Sequence, residues 1–259
     1  MRVMTWNLRT ETAVEPPHWP DRLAGVVSVI EEQAPHVLGT QEASARMLDD
    51  LAAHLPSRYG WLGEGRLGAR NDEFTAVVYD TARFDLLSWH TWWLSDRTDV
   101  PGSTAWGAAF PRTATTVRLR DAGDGTAYTF VNAHLDHVSE RARLEGARLL
   151  GGSLGHDPSV VLGDFNAEAR SSEPYTALAQ AGLVDAVAPH VTDATPGTFT
   201  GLAPVQPGGP HIDWVLTTPD LVSTGARIVD VTGLDPVPSD HLPVVVDLEH
   251  VAGPQADRP

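Results

Sequence analysis

The amino-acid sequence predicts an α+β layered sandwich. Short β-like runs rich in Val, Leu and aromatic residues recur along the whole chain, and only a few segments carry the 3.6-residue apolar period of a helix. The two kinds of segment do not follow the strict βαβ order of a parallel sheet with crossover helices. No internal repeat, low-complexity block or linker interrupts them. Residues 1–251 are therefore read as a single domain, and 252–259, with Gly, two Pro and charge, as a loose tail.

In chain order, residues 2–7 read as a first strand. Leu23, Val26, Val27 and Ile30 mark one face of a helix, with Pro20 at its start, where a missing N–H costs nothing. Residues 36–41 and 74–79 read as buried strands, and Leu48, Leu51 and Leu55 as a helix between them. The segments 113–119 and 127–134 form a predicted hairpin, because Asp121-Ala122-Gly123-Asp124-Gly125 supplies turn residues. A helix is expected over 139–150, with Leu144, Ala147 and Leu150 on one side. Residues 159–162 are a short apolar strand running into Gly163-Asp164-Phe165-Asn166. Late strands are expected at 212–216, 226–231 and 242–248.

Composition excludes several chemistries. The 259 residues are 42% hydrophobic and 20% charged, enough for a substantial core. Absence of cysteine rules out disulfides, thiolate zinc sites and cysteine nucleophiles. All 18 cationic side chains are arginine, so lysine Schiff-base chemistry and a P-loop lysine are excluded. No run approaches the roughly 20 apolar residues of a membrane span. The N-terminus, Met1-Arg2-Val3-Met4-Thr5-Trp6-Asn7, lacks a signal core, which predicts a cytoplasmic protein with no membrane partner. The net charge of −16 opposes nonspecific attraction to nucleic acid and suits carboxylates that hold hard cations.

Polar residues close the apolar runs repeatedly: Asn7, Glu42, Glu73, Asn132 to His137, Asp164 with Asn166, Asp213, and Asp240-His241. Strand ends are where a rigid sheet presents side chains with fixed geometry. Singly, most have an ordinary explanation: Asn7 as a turn residue, Glu42 as a helix-start carboxylate beside Ser44, His134 or His137 as a surface or satisfied core histidine. Asp213, inside an apolar strand, is harder to dismiss, because an unpaired buried charge is costly.

Together the strings Thr5-Trp6-Asn7, Gly39-Thr40-Gln41-Glu42, Asn132-Ala133-His134-Leu135-Asp136-His137, Gly163-Asp164-Phe165-Asn166-Ala167-Glu168, His211-Ile212-Asp213 and Ser239-Asp240-His241 resemble the endonuclease/exonuclease/phosphatase superfamily, in the family's order and over nearly the whole chain. Trp93-Leu94-Ser95 through Pro101-Gly102-Ser103, Trp106 and Pro111-Arg112 resemble a bacterial subgroup of mostly unassigned substrate. The resemblance implies a four-layered α/β/β/α, DNase-like sandwich with the active site at one edge. It implies Mg²⁺, with Mn²⁺ as a substitute, on Glu42 and Asp240, with Asn7 binding metal or phosphate. It implies Asp164 as the residue that orients or deprotonates the attacking water, and a second contact of Asp164 to the metal. Asn166 then fixes a phosphate oxygen, and Asn132 joins the substrate-binding set. Asp213 would orient His241, and Glu73 would pair with His134; which histidine is the acid stays open.

Arg112 is a candidate phosphate clamp, since guanidinium matches phosphate oxygens bidentately. His137, Trp19 and Arg22 are weaker candidates for the pocket rim. The expected activity is hydrolysis of a phosphate mono- or diester of a small phosphorylated substrate, with no protein partner evident. A DNA or RNA nuclease is the alternative, disfavoured by charge and by the lack of an Arg-rich cluster beyond Arg141 and Arg143. A non-catalytic binding member of the fold would lack metal carboxylates, and none is missing.

Overall fold

Alternation along the first strand already sets the layering. In a strand successive side chains point to opposite faces. β1 (Arg2–Asn7) accordingly sends Val3 into one apolar cluster and Met4 and Trp6 into another. The computed structural model describes residues 1–11 and 14–251. The tail expected at 252–259 lies outside the described residues.

Two six-stranded sheets face each other. The first runs in the order β11 (Leu221–Ile228), β12 (Val244–His250), β1, β2 (Val37–Ser44), β4 (Glu73–Asp80), β3 (Tyr59–Leu62). The second runs β5 (Phe84–Trp93), β6 (Thr113–Asp121), β7 (Ala127–His134), β8 (Ser159–Asp164), β10 (Asp213–Thr217), β9 (Val184–Asp185). Each sheet holds one parallel pair, β1 with β2 and β7 with β8; the other pairings are antiparallel. Helix α1 (Trp19–Gln33) connects the first parallel pair and α3 (Glu140–Gly152) the second. With α2 (Ala45–His54) and α4 (Glu173–Gln180) they cover the outer faces, giving the α/β/β/α order that the resemblance implies.

Between the sheets lie Val3, Val37, Val77, Val117, Phe130, Val160, Leu162, Val215, Val244 and Val246. Each such side chain contributes about 1.5–3 kcal/mol on burial. Ile30, Met47 and Leu48 pack on the outer face of the first sheet, and Ala147, Leu150 and Leu178 on that of the second.

This middle layer positions the site. Following its period-two rows to one edge reaches Asn7 on β1, Glu73 on β4, His134 on β7, Asp164 on β8 and Asp213 on β10. Register aligns them: His134 lies opposite Asp164 across β7 and β8, and Asp213 opposite Asp164 across β10 and β8. Gly163 allows this row to close up. Its φ is +145°, and a Cβ there would stand 1.9 Å from the Ala133 carbonyl oxygen.

Several elements differ from expectation. β3, β5, β9 and α4 were not expected; β5 and β3 are edge strands, and β5 has a broken alternation and a register shift between Leu86 and Ser88. β11 begins at Leu221 rather than 226, because Ser223-Thr224-Gly225 at its bulge hides the pattern. Trp92 and Trp93 on β5 are buried, whereas Trp89 is exposed.

Candidate active site

Glu42 reaches the site through a defect in its strand. The β2–β4 register shifts between Thr40 and Ala43, and Glu42 has φ +63°, in the left-handed region that a non-glycine residue rarely adopts. Gln41 keeps the inner face and Ala43 joins the outer cluster, so the bulge turns Glu42 to the sheet edge. Its carboxylate is held from both sides: Asn7 Nδ2 donates to Oε1 at 3.0 Å and the Thr10 backbone N–H to Oε2 at 2.8 Å.

Asn7 also donates to Asp164 Oδ2 at 3.0 Å, so one fully buried amide spaces two carboxylates. The other Asp164 oxygen accepts from the Asn166 N–H at 2.9 Å. His134 Nε2 and His241 Nε2 flank Asp164 Oδ2 at 3.5 and 3.7 Å. Behind His241, Asp213 Oδ2 lies 2.9 Å from Nδ1, while Asp213 Oδ1 is buried without a hydrogen-bond partner. Asp213 itself is placed by its backbone N–H on Thr198 Oγ1 at 3.1 Å, and His241 by its N–H on Ser239 Oγ at 3.2 Å.

Electrostatics divide the two histidines. Burial works against charge on His241, but Asp213 and Asp164 outweigh it and push the imidazole up to about 10. His134 goes the other way: burial, then the Arg112 cation, hold it well below its ordinary value. Arg112 Nη1 lies 3.1 Å from both His134 ring nitrogens and Nη2 lies 2.8 Å from His137 Nδ1. An arginine only donates and a neutral imidazole has one acceptor nitrogen, so Arg112 Nη1 can bond only one of the two His134 nitrogens at a time. Burial and the Asp213 charge raise the Asp164 carboxyl well above its ordinary range. Burial and Glu42 likewise raise Asp240.

The expected Glu73–His134 pair is not formed. Glu73 Oε2 accepts instead from Arg66 Nη1 at 2.8 Å, and Arg112 occupies the position beside His134. Burial lifts the Glu73 carboxyl to about 7 against the pull of Arg66. Asn132 is also displaced from its expected role. It is fully buried between the sheets, donating to the Thr40 and Ala76 carbonyls at 2.8 Å each and accepting from Gln41 Nε2 at 2.6 Å. Its amide clasps the sheets beneath the site and does not line the cleft. Trp19 is a core residue whose Nε1 donates to Asp50 at 2.9 Å. Arg22 is buried, tying the Leu8, Arg9 and Pro238 carbonyls together, so neither belongs to the rim.

The cleft of about 290 Å³ is lined by Glu42, Glu73, Arg112, His134, His137, Asp164, Asn166, Asp240 and His241 from the expected set, joined by Thr10, Arg66, Phe110, Phe199 and Ile212. Arg66, Phe110 and Phe199 carry no motif, and their membership follows only from loop geometry. Glu42, His134 and Asp164, all lining the cleft, offer donor atoms within 4.8 Å of one another, as do Asp164, His241 and the buried Asp213 behind it. Asp240 joins neither group; it lines the same cleft, with its backbone carbonyl accepting from Thr200 and Gly201. Oxygen donors crowded in a buried site suit a hard divalent cation, which would offset the cost of keeping Asp164 charged there.

Residues 4–241 match the family described as Endonuclease/Exonuclease/phosphatase. Among solved structures, an endonuclease/exonuclease/phosphatase protein from Bacteroides vulgatus superposes with TM-score 0.88 at 28% identity, covering 96% of this chain and 98% of that one. A mannosyl-6-phosphatase from Bacteroides thetaiotaomicron gives TM-score 0.87 at 27% identity, with 96% and 99% covered. The human Nocturnin catalytic domain, with a bound sulfate, gives TM-score 0.75 at 19% identity, with 96% and 94% covered, a likeness of fold alone. No curated protein matches the chain. Among the described residues, no helix is long and apolar enough to cross a membrane.

Proposed function

The chain belongs to the endonuclease/exonuclease/phosphatase family, and from that premise we propose that it is a Mg²⁺-dependent phosphoesterase acting on a small phosphorylated molecule. The observation that carries this reading is the meeting of Glu42, Asp164, His134 and His241, with Arg112, in one cleft of about 290 Å³. Glu42 and Asp164 would hold the cation, with Asp240 and Asn7 close to it. The cation, when bound, supplies charge that offsets the phosphate oxygens and lowers the pKa of water.

The chain's own groups divide the rest of the work. Asn7 and the Asn166 N–H fix both oxygens of Asp164, which leaves that carboxylate aimed to orient an attacking water and take its proton. His241 stays cationic through neutral pH because Asp213 stands behind it, so its Nε2–H can donate to a phosphate oxygen as charge builds in the transition state. Burial, with the Arg112 cation beside it, holds His134 neutral, and Arg112 retains guanidinium N–H groups for the phosphate. Asn166 Nδ2, now shared between His134 Nε2 and the Leu135 carbonyl at 3.1 Å each, stands within reach of the same oxygens.

The cleft size and the −16 charge favour a small substrate over a polynucleotide. The likeness to a mannosyl-6-phosphatase at 27% identity supports a phosphate monoester. The test is a Mg²⁺-dependent screen of phosphomonoesters, phosphodiesters and single- and double-stranded nucleic acid. Turnover confined to small esters supports the reading, and turnover confined to nucleic acid replaces it with the nuclease.

A further inference from the structure

The cleft is lined mostly by charged and polar side chains, yet two phenylalanines stand open in it. Phe110 is 45% exposed and Phe199 38%. Both are braced on the imidazoles. Phe110 stacks on His137 with centroids 5.8 Å apart and planes 16° apart, and the Arg66 guanidinium lies 4.7 Å from its centroid. Phe199 meets His241 edge-on at 4.9 Å, and its backbone forms a bridge with His241. His134 and His241 flank Asp164 Oδ2, and Arg112 links His134 to His137. Phe110 therefore belongs to the His134 side of the cleft and Phe199 to the His241 side.

Scattered exposed apolar residues need no explanation, but aromatic rings gathered at a concave polar site are a recognition surface. Apolar ring surface left in water forgoes burial that a ligand with an apolar face would recover. Aromatic rings also keep their shape at little conformational cost, so they select by fit. About 290 Å³ lies at the small end of ligand pockets, which favours a compact leaving group.

We propose that Phe110 and Phe199 form the leaving-group subsite and select phosphate esters whose leaving group is a single saturated ring of the hexose class. The C–H faces of the ring pack on the phenyl groups, and its hydroxyls turn to the polar lining. This rests on the phosphoesterase reading above.

The test measures kcat/KM with Mg²⁺ on the intact protein for mannose 6-phosphate, glycerol 3-phosphate and AMP. These share a phosphate monoester of a primary alcohol and differ in carrying one ring, no ring, or a ribose with a base. The wild type should favour the hexose ester over the acyclic one by about tenfold or more, the range in which pocket contacts discriminate. Phe110→Ala and Phe199→Ala should each erode that ratio, mainly through KM for the hexose ester, and Phe199→Tyr should keep it. Because Phe199 touches the catalytic His241 and Phe110 packs on His137 beside Arg112, the ratio is the readout: a general loss of turnover cancels from it. A ratio near one in the wild type, or one untouched in both alanine variants, overturns the subsite while leaving the phosphoesterase reading intact. Preference for AMP over the hexose ester overturns the single-ring assignment. Failure on all three with turnover of other small phosphate esters overturns the subsite alone, and no turnover of any small phosphate ester overturns both.

Discussion

Replacing Asn132 by alanine should unfold the protein far more readily while sparing the chemistry. Its side chain is fully buried and joins the two sheets through three hydrogen bonds, to Thr40 and Ala76 at 2.8 Å and from Gln41 at 2.6 Å. Each such bond contributes about 0.5–1.5 kcal/mol net, and buried groups left unpaired cost more. Gln41 keeps only Thr5 as a partner for Nε2, at 3.0 Å. The neighbouring Gly39 has no side chain to fill the void: a Cβ there would stand 2.0 Å from Leu162 and 2.8 Å from Asn132. The sum is a loss of about 3–5 kcal/mol, or a Tm lower by roughly 6–20 °C for a chain of this size. Urea unfolding followed by circular dichroism measures it, with turnover assayed on the folded fraction well below the transition. A change under about 1 kcal/mol together with a large rise in KM would refute the clasp and return Asn132 to the substrate-binding role that its motif suggested.

Three further outcomes follow. Asp213→Asn should move the alkaline limb of the pH–rate profile to lower pH. His241 is held up to about 10 by Asp213 and Asp164, so its charge is present at neutral pH and lost as pH rises through that value. The double variant with His241→Ala should be little worse than His241→Ala alone, whereas multiplicative losses with an unmoved profile would place Asp213 elsewhere. Saturating Mg²⁺ should raise Tm by several degrees at pH 8 and by less at pH 5. Asp164 titrates above its unfolded value, so its ionisation costs stability as pH rises and a cation offsets that cost only once it is charged. Glu42→Gln should stay folded and lose most of that shift; an equal shift in the variant would remove Glu42 from the metal site. Fluorescence anisotropy should find only weak duplex DNA binding even at low salt, because the −16 surface repels a polyanion, and submicromolar binding would restore the nuclease.

Much of the fold was legible because most inner strands keep a period of two. The same alternation that puts Val3, Leu162 and Val215 between the sheets carries Asn7, Asp164 and Asp213 to one edge. Motif residues at apolar strand ends are therefore readable from the sequence as a cluster. What escaped depends on departures from that period or on loops. The left-handed backbone at Glu42, which turns the carboxylate into the cleft, leaves no trace in composition. Arg66, Phe110 and Phe199 arrive on connections whose course follows from packing, and Arg66 takes Glu73 away from its expected histidine. Asn132 lies in the same motif as His134 and on the same face of β7, and only its depth, one period further from the edge, separates a clasp from a ligand contact.

The most direct test of the central claim is inorganic phosphate release from a small phosphomonoester by the intact protein, measured with Mg²⁺, after EDTA, and in Asp164→Asn. The account predicts turnover that EDTA abolishes, that Mg²⁺ or Mn²⁺ restores, and that Asp164→Asn lowers by a factor of about 10² or more. Full turnover in the metal-stripped protein, or an Asp164→Asn variant as active as the wild type, would contradict it.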